Sequence, residues 1–296
     1  MSTAIAAAAP GAIRRPAKRL FRRAGIATSR WRPLPDYLII GTHRAGSTSL
    51  WAYLNQHPCV GVNFPRLQEI KGVRYFDENY FRGDDWYRSH FPSAAYRDYL
   101  RRRHGCEALA GDASTYYLFH PAAAQRAAAV VPDAKLVVLL RNPVDRAYSH
   151  WRRERRDGAE PLERFDEAVA AESERLAGEV DRILNDERHY SYAHENFSYM
   201  TQGHYLEPLR KWLEHYPRER VHVEISERFF RDPQAGYERV LEFLGLPSMT
   251  LRDARPRNIT VGEPLDALTR RKLSARIAPE NERLEEFLGF QLGWDR

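Results

Sequence analysis

Residues 37–50 read YLIIGTHRAGSTSL, and this stretch decides the fold. It opens with a short apolar run that Gly41 ends, which is the pattern of a buried strand. Apolar residues then recur at helical spacing until a His-Pro pair at 57–58, namely Leu50, Trp51, Tyr53 and Leu54. The stretch therefore predicts a buried strand, a tight turn and a helix in direct succession.

The alternation of strand and helix patterns continues along the chain. Residues 135–140 (KLVVLL) form a continuous apolar run, as in a central parallel strand that is buried on both faces. Residues 221–225 alternate apolar with polar side chains and predict another strand. Helices are predicted over residues 143–157, 235–244 and 280–288. The whole pattern predicts an α/β fold of three layers, with a central parallel sheet flanked by helices.

The composition excludes several classes of protein. With 43% hydrophobic side chains in 296 residues, the chain can bury a large core and is not wholly disordered. No run reaches the roughly eighteen apolar residues of a membrane-spanning helix, so none is expected. Cys59 and Cys106 stand far apart without metal-ligand spacing. We therefore expect neither a disulfide framework nor a thiolate zinc site, and we expect a reducing compartment.

Positive charge is concentrated at the N-terminus. Residues 1–32 contain eight Lys and Arg side chains and no acid, whereas the remainder holds 38 basic against 40 acidic residues, a net charge of about −2. We predict a basic, flexible leader over residues 1–34 and a single domain over residues 35–296. Within the leader, residues 10–32 are either a solvated segment or a weak anchor to an anionic membrane surface. Nucleic-acid binding is not expected, because the segment matches no nucleic-acid-binding module.

The turn after the first strand carries the strongest chemical signal. A glycine-bearing turn that opens a helix presents unpaired backbone N–H groups and the positive end of the helix dipole, which together bind phosphate. Its spacing matches the Walker A pattern G-x-x-x-x-G-K-[ST], except that Ser47 occupies the lysine position. That lysine normally contacts the β- and γ-phosphates of a nucleotide, and Arg44 is the one cation in this turn. The turn therefore favours one 5′-phosphate with its substituent over a triphosphate with magnesium.

A second anion site is predicted at residues 141–150 (RNPVDRAYSH). The order Asn-Pro-x-Asp suits a helix N-terminus, with the asparagine as N-cap, the proline at the first position and the aspartate closing the cap. Arg141 then lies at the carboxyl end of a strand, where open α/β sheets bind ligands. Ser149 lies two turns into the helix with its hydroxyl directed back toward Arg141. The pair predicts a site for a phosphate monoester.

Together these motifs resemble the 5′-phosphosulfate loop and the 3′-phosphate site of sulfotransferases that use 3′-phosphoadenosine 5′-phosphosulfate. The resemblance runs from about residue 37 to the C-terminus. It is closest to the heparan sulfate type, in both its N-sulfating and 3-O-sulfating branches, and to the bacterial relatives of that type. Further matching stretches follow in order: Tyr75-Phe76-Asp77, Asp85-Trp86-Tyr87, Gly111-Asp112-Ala113-Ser114, Gly203-His204-Tyr205 and Phe243-Leu244-Gly245-Leu246.

This resemblance implies a P-loop-like core and transfer of a sulfuryl group to a hydroxyl or amine of a glycan, glycolipid or related metabolite. It implies that Arg141 and Ser149 hold the 3′-phosphate of the donor. Arg255 and Arg257 match a basic loop that closes over the 3′-phosphate and the adenine. The donor is a co-substrate, no metal is expected, and the expected location is cytoplasmic, with or without contact at a membrane surface. The 5′-phosphosulfate would be held by Arg44, Ala45, Gly46, Ser47, Thr48 and Ser49.

The cations near the sulfuryl group depart from the family pattern at one position. The family places lysine where this chain has Arg44. A guanidinium neutralises charge on the bridging oxygen but is a poor proton donor, so Arg44 is expected to act as an electrostatic stabiliser. Lys71 keeps its family position and is expected to assist Arg44.

The general base departs from the family pattern more strongly. Relatives carry a catalytic glutamate directly after the lysine that corresponds to Lys71, and here that position is Gly72. We predict that His150 is the base, because a neutral imidazole next to Ser149 can accept a hydroxyl proton at physiological pH. The alternatives are Glu69 and Asp112.

Two other functions stay open at this level. A P-loop small-molecule kinase is disfavoured by the missing Walker lysine. A non-catalytic, membrane-tethered nucleotide-binding module is favoured by the lost glutamate and by the basic leader. The aromatic residues between 75 and 99 either line a sugar cleft or belong to the core.

Overall fold

A parallel sheet of four strands organises the chain, whose computed structural model describes residues 20–65, 71–257 and 263–294. The strands are β1 (Tyr37–Gly41), β2 (Gly111–Asp112), β3 (Lys135–Leu140) and β4 (Val221–Ile225). Their spatial order is β2-β1-β3-β4, and every neighbouring pair is parallel. Three of the four are predicted by the sequence. The exception is β2, which is too short to show a periodic pattern.

Helices fill the connections between the strands and cover the sheet. They are α1 (Ser47–Leu54), α2 (Asp84–Arg88), α3 (Ala94–His104), α4 (Ala123–Val130), α5 (Pro143–Arg156), α6 (Phe165–Ala170), α7 (Glu172–Leu176), α8 (Glu179–Asn185), α9 (Tyr192–Asn196), α10 (Leu206–Leu213), α11 (Ser226–Arg231), α12 (Pro233–Leu244) and α13 (Ala267–Leu288). The sequence predicts α13 only from residue 280, because a proline at 279 reads as a helix end. The helix instead contains Pro279 and begins where Asp266 accepts a hydrogen bond from the Thr269 backbone N–H.

Apolar side chains are buried on both faces of the sheet. In β1, Leu38 and Ile40 pack on one face with side chains of α4, α10 and α13. Tyr37 and Ile39 pack on the other face with side chains of α1 and α12. The central strand β3 divides in the same way, which is why its sequence is continuously apolar. The predicted three-layer α/β fold is confirmed.

The aromatic residues between 75 and 99 belong mainly to the core. Tyr75, Phe76, Tyr87 and Phe91 are at most 1% exposed, and Tyr75 stacks on Tyr87 with ring centroids 4.4 Å apart. Of the two predicted roles, packing is therefore the one observed. No helix in the described part of the chain is both long enough and apolar enough to span a membrane.

The end of the predicted leader is part of the folded body, which corrects the boundary at residue 34. Residues 20–27 are helical, and the Arg22 guanidinium donates to the Ser89 carbonyl and hydroxyl oxygens at 3.0 and 2.8 Å. Arg32 is only 8% exposed and donates to the Phe91 carbonyl oxygen at 2.6 Å. These cations are used as hydrogen-bond donors inside the protein, so a free leader can extend no further than residue 19. Residues 1–19 lie outside the described residues.

Deleting residues 1–32 is therefore expected to destabilise the protein, whereas deleting residues 1–19 is not. A hydrogen bond from a charged group contributes about 1.5–3 kcal/mol, so losing Arg22 and Arg32 should cost at least about 3 kcal/mol. For a domain of this size that corresponds to a fall in Tm of roughly 6 °C or more. Thermal unfolding of the two truncated chains measures the difference. Equal Tm values for the two would show that residues 20–32 do not stabilise the fold.

The two cysteines form a single disulfide, a pairing that the sequence does not predict. Cys59 and Cys106 are 47 residues apart in sequence, but their Cα atoms are 6.2 Å apart, within the usual range for a disulfide. An isolated parallel bridge between Val60 and Leu109 brings the two segments together. Sequence separation alone could not show this pairing, and the inference of a reducing compartment loses its basis.

Candidate active site

A cleft of about 580 Å³ opens at the carboxyl ends of β1 and β3. Its walls come from the turn before α1, from α5, from the start of α11 and from residues 256–257 and 263–265. In the part of the chain that the structure describes, three carboxylates line it, Asp145, Glu227 and Glu263, against seven cations, Arg44, Lys71, Arg141, Arg152, Arg153, Arg257 and Arg270. Such a lining suits a ligand with several negative charges.

The turn between β1 and α1 has the backbone geometry of a close anion cradle. Gly46, which precedes α1, has φ 95°, in the left-handed region that favours glycine. A Cβ atom at this position would lie 2.3 Å from the ring of Phe230. The turn thus requires glycine for its conformation and for its packing. The first N–H groups of α1 are directed toward the cleft because the helix begins there.

Hydrogen bonds join the two anion-binding motifs that the sequence predicts. The Arg44 Nε donates to the Ser149 hydroxyl at 3.1 Å, and the Arg141 Nη1 donates to the Arg44 carbonyl oxygen at 2.9 Å. Burial, followed by repulsion from nearby arginines, lowers the pKa of Arg44 to about 10. The guanidinium is therefore still a cation at neutral pH. Residues from two separate strand–helix turns thus meet at one point.

The start of α5 follows the predicted capping, with one change. The Asn142 side-chain oxygen accepts hydrogen bonds from the backbone N–H groups of Val144 and Asp145. The Asp145 carboxylate does not close the cap but accepts from Arg270 at 2.6 Å. Glu227 instead accepts the Asn142 backbone N–H at 2.9 Å. This long-range partner could not be read from the local pattern.

Of the predicted arginine pair, Arg257 alone lines the cleft. Its backbone N–H donates to the Ser49 hydroxyl at 2.8 Å, and its side chain pairs with Asp253. The Arg255 side chain is 82% exposed, also pairs with Asp253 and lies outside the cleft lining. The structure therefore does not bring Arg255 to the predicted site.

Lys71 reaches the same turn from the other side. Its Nζ donates to the Ser47 hydroxyl at 3.0 Å. Burial, followed by repulsion from Arg153, lowers the pKa of Lys71 to about 8. Lys71 and Arg44 thus lie at the two sides of one turn, as an assisting role for Lys71 requires.

His150 is poorly placed for the predicted role of general base. Its side chain borders the cleft but is only 1% exposed. Its Nδ1 lies 3.4 Å from Nη1 of Arg146, which can only donate, and its Nε2 faces Glu154 at 3.8 Å. One residue beyond Ser149 corresponds to a rotation of about 100° around the helix, which directs this ring inward.

Neither alternative carboxylate is supported as the base. Asp112 is 0% exposed, and its oxygens accept four hydrogen bonds, from Val73, Ser114, Tyr87 and Tyr117. Its role is structural. Glu69 lies outside the described residues. At Gly72 itself, a Cβ atom would lie 2.8 Å from the Ala113 carbonyl oxygen, so a glutamate would require a shift of the backbone.

Comparison with known proteins decides the family. A model of the sulfotransferase domain matches residues 34–260. This chain belongs to the sulfotransferase domain family. The predicted family and enzyme class are thereby confirmed.

Individual relatives agree with this assignment. The sulfotransferase is 32% identical over 221 residues to a bifunctional heparan sulfate N-deacetylase/N-sulfotransferase 1 of Caenorhabditis briggsae, covering 72% of this chain and 23% of the relative. It is 23% identical over 325 residues to a membrane-associated sulfotransferase of Dictyostelium discoideum, covering 88% of this chain and 66% of the relative. The first of these relatives is thus more than four times as long as the region it shares with this chain.

A solved structure extends the similarity to three dimensions. The sulfotransferase from Alicyclobacillus acidocaldarius matches with a TM-score of 0.66 and 29% identity, covering 89% of this chain and 100% of that one. The P-loop-like fold predicted for this sulfotransferase is therefore shown by structure as well as by sequence.

Several cleft residues of this sulfotransferase are absent from the sequence-based prediction. His43 directly precedes Arg44, and Arg153 follows Ser149 by one helical turn, so spacing from known site residues could have indicated both. Tyr148 directly precedes Ser149. Others come from distant segments that no local pattern connects to the cleft: Thr115, Phe230, Leu265 and Arg270. Among the described residues, no group of three or more His, Cys, Asp or Glu side chains is placed to hold a metal ion.

Proposed function

We propose that the chain transfers a sulfuryl group from 3′-phosphoadenosine 5′-phosphosulfate to a hydroxyl or amine of a glycan, glycolipid or related metabolite. One observation carries this proposal. Arg44, Lys71 and Arg141 come from three separate segments and lie together at the N-terminus of α1. The turn at this N-terminus has no Walker lysine. The heparan sulfate N-sulfotransferase named among the relatives supports a glycan as the acceptor.

The donor would be held by cations and backbone N–H groups. Its 5′-phosphosulfate fits the turn at residues 44–49, where the N–H groups that open α1 supply hydrogen bonds. Its 3′-phosphate would be bound by Arg141 and the Ser149 hydroxyl. Arg257 would close over it from the opposite wall. The excess of cations over carboxylates in the lining balances the charge of two phosphates and one sulfate.

The reaction needs charge stabilisation at the bond that breaks. The acceptor oxygen or nitrogen forms a bond to sulfur while the bond between sulfur and the bridging oxygen breaks, and the electron pair stays on the 5′-phosphate. Arg44 and Lys71 flank the turn where that oxygen would lie, so they would stabilise its developing negative charge. The acceptor proton must pass to a base.

Ligand-dependent thermal shifts test this proposal. Adenosine 3′,5′-bisphosphate is expected to raise the Tm in the presence of EDTA, because arginines and backbone N–H groups meet its phosphates. ATP with magnesium should give a much smaller shift, since the turn lacks the lysine that contacts the γ-phosphate. A strict magnesium requirement together with a preference for ATP would contradict the proposal and favour a kinase.

Arg141→Ala is expected to weaken binding of adenosine 3′,5′-bisphosphate far more than binding of adenosine 5′-phosphate. Losing a charged hydrogen-bond partner costs about 1.5–3 kcal/mol, roughly a ten- to hundred-fold loss of affinity. Isothermal titration calorimetry with both ligands measures the two losses. Equal losses would show that Arg141 does not bind the 3′-phosphate.

The rate of reaction with the donor should fall at basic pH, near pH 8, because Lys71 loses its charge there. Because burial lowers the pKa of Lys71 to about 8, its cation is present below that pH and is lost as the pH rises through it. We expect kcat/KM for the donor to fall over this range. In Lys71→Arg the basic limb should move up to about pH 10, where Arg44 is the next cation to lose its proton. An unchanged limb in that variant would assign the titration to another group.

Contact between residues 10–32 and an anionic membrane surface is a separate proposal. Arg22 and Arg32 are engaged by the domain, so the remaining leader cations would have to carry the attraction. Similarity to a relative named membrane-associated supports a test. Co-sedimentation with phosphatidylserine vesicles should be lost on deletion of residues 1–19, and equal binding of both chains would refute the anchor.

A further inference from the structure

We propose that His43 is the general base of sulfuryl transfer and that Glu195 and Arg74 position it. This inference rests on the proposed function, because it assigns the group that removes the acceptor proton. It fills the role that Gly72 cannot supply and for which His150 and Asp112 are poorly placed.

His43 lines the cleft beside the turn that would hold the sulfuryl group. It directly precedes Arg44 in the turn, and its side chain is 16% exposed. Lys71, Thr115 and Arg153 line the same cleft. An imidazole that borders both the turn and the open cleft can reach a hydroxyl placed against the sulfur.

The three carboxylates of the cleft are bound to other groups of the protein or are exposed to solvent. Asp145 is paired with Arg270 at 2.6 Å. Glu227 accepts hydrogen bonds from the Asn142 backbone and from the Trp294 indole N–H. Glu263 is exposed, and its carbonyl oxygen accepts from side chains of α5. Within the described lining, His43 is thus the best-placed neutral group that can accept a proton.

Two aromatic neighbours fix the plane of the His43 ring. Tyr116 stacks on it, with centroids 6.0 Å apart and an interplanar angle of 28°. His150 packs against it edge-on at 5.5 Å and 89°. The Tyr116 hydroxyl is itself held by a hydrogen bond of 2.6 Å to His194 Nδ1. The ring is therefore held in one orientation before the substrate arrives, as a positioned base requires.

Glu195 faces the His43 ring from α9 with an oriented carboxylate. One of its oxygens accepts from Arg74 Nη2 at 2.6 Å, and the other lies 3.7 Å from His43 Nε2. A carboxylate opposite Nε2 favours the tautomer that carries hydrogen there and leaves the lone pair on Nδ1. The separation exceeds a hydrogen bond, and distances between catalytic groups of a free enzyme commonly shorten when substrate binds.

Arg74 is held in an uncommon conformation by the same cluster. Its φ is 57°, in the left-handed region that few residues other than glycine adopt. Its guanidinium also donates to Asp77, at 2.7 Å, and Asp77 is 3% exposed. A strained residue that orients a buried carboxylate toward a cleft is typical of a functional site.

Charge around His43 keeps the imidazole neutral until it receives the proton. Burial, followed by repulsion from Arg74, Arg146 and Lys71, holds the pKa of His43 well below its usual value. The ring is thus unprotonated over the physiological range, and Glu195 supplies the compensating charge once it becomes protonated. The titratable and charged groups that face it are Lys71, Arg74, Tyr116, Arg146, His150, Arg153 and Glu195.

The proposed step balances its atoms and charge. As the acceptor oxygen bonds to sulfur, its proton moves to His43 Nδ1. The bond between sulfur and the bridging oxygen breaks, and adenosine 3′,5′-bisphosphate leaves with the electron pair. The imidazolium then releases its proton to water, which returns the base to its starting form.

Substitution at His43 tests the assignment with radiolabelled donor and a glycan panel that includes N-desulfated heparin. His43→Gln and His43→Ala are expected to lower kcat by roughly 10²- to 10⁴-fold, while affinity for adenosine 3′,5′-bisphosphate changes less than about three-fold. Added imidazole should partly restore His43→Ala. His215→Gln, an exposed histidine outside the cleft, is the matched control and should keep wild-type kcat.

Glu195→Gln separates positioning from folding. Removing the carboxylate should lower kcat and move the acidic limb of the rate profile to lower pH, because the imidazolium loses its counter-charge. A merely structural role would lower the Tm without moving that limb. If His43→Gln keeps near-wild-type kcat while the wild-type chain turns over the donor, His43 is not the base and the proposed function stands. A kcat loss in His150→Gln alone would transfer the role to His150.

Discussion

Arg44→Ala is expected to reduce kcat by roughly 10²- to 10³-fold, the usual effect of removing one preorganised donor to developing charge. Arg44 is partly buried in the turn, donates to Ser149 and keeps its cation at neutral pH. In the proposed mechanism this charge would lie close to the bridging oxygen as that oxygen gains electron density. Alanine and arginine have similar difficulty adopting the φ of 65° at this position, so backbone strain should not contribute to the loss.

Arg44→Lys is the matched variant for this prediction. A lysine keeps the charge and matches the residue that the family usually places there, so most of the activity should return. Steady-state kinetics at saturating donor, with donor affinity measured separately, distinguish charge from binding. If Arg44→Ala retains more than about a third of the wild-type kcat, Arg44 does not stabilise the transition state.

Gly46→Ala is expected to destabilise the protein by about 2–5 kcal/mol and to abolish measurable donor binding. The new Cβ would lie 2.3 Å from the Phe230 ring, which adds about 1–3 kcal/mol of overpacking. The φ of 95° adds about 1–2 kcal/mol of backbone strain. Denaturant unfolding and calorimetry with adenosine 3′,5′-bisphosphate measure both effects.

Gly158→Ala controls for the backbone term alone. Gly158 has φ 77°, and no atom lies within 4 Å of a Cβ added there. The Gly158→Ala variant should therefore lose only the stability that backbone strain costs, and it should keep its donor affinity. Adding Phe230→Ala to Gly46→Ala should recover part of the stability. Equal losses in Gly46→Ala and Gly158→Ala would show that contact with Phe230 is unimportant.

The sheet could be predicted from the sequence because its strands are buried on both faces. The continuous apolar run at 135–140 can bury its side chains only inside a layered α/β core. It forms β3 at those residues. The two-residue strand β2 carries no such signal. The Cys59–Cys106 disulfide and the docking of Arg32 on Phe91 depend on contacts between distant segments, which composition and charge patterns do not contain.

The residues proposed to bind the donor were easier to find from the sequence than the proposed base. Arg44, Arg141 and Ser149 lie in motifs of fixed spacing, and the structure joins them by hydrogen bonds. The partner of His43 is Glu195, which lies more than a hundred residues away on α9. The sequence predicts His150 as the base instead, because its place beside Ser149 does not show that packing directs the ring inward.

Transfer of radiolabelled sulfate from 3′-phosphoadenosine 5′-phosphosulfate to a glycan panel, in EDTA, tests the central claim most directly. The account predicts labelled glycan from the wild-type chain and at least a hundred-fold less from Arg44→Ala, a ratio in the range expected for one lost charge stabiliser. No labelled product from a folded wild-type chain that still binds adenosine 3′,5′-bisphosphate would contradict it and indicate a non-catalytic nucleotide-binding module.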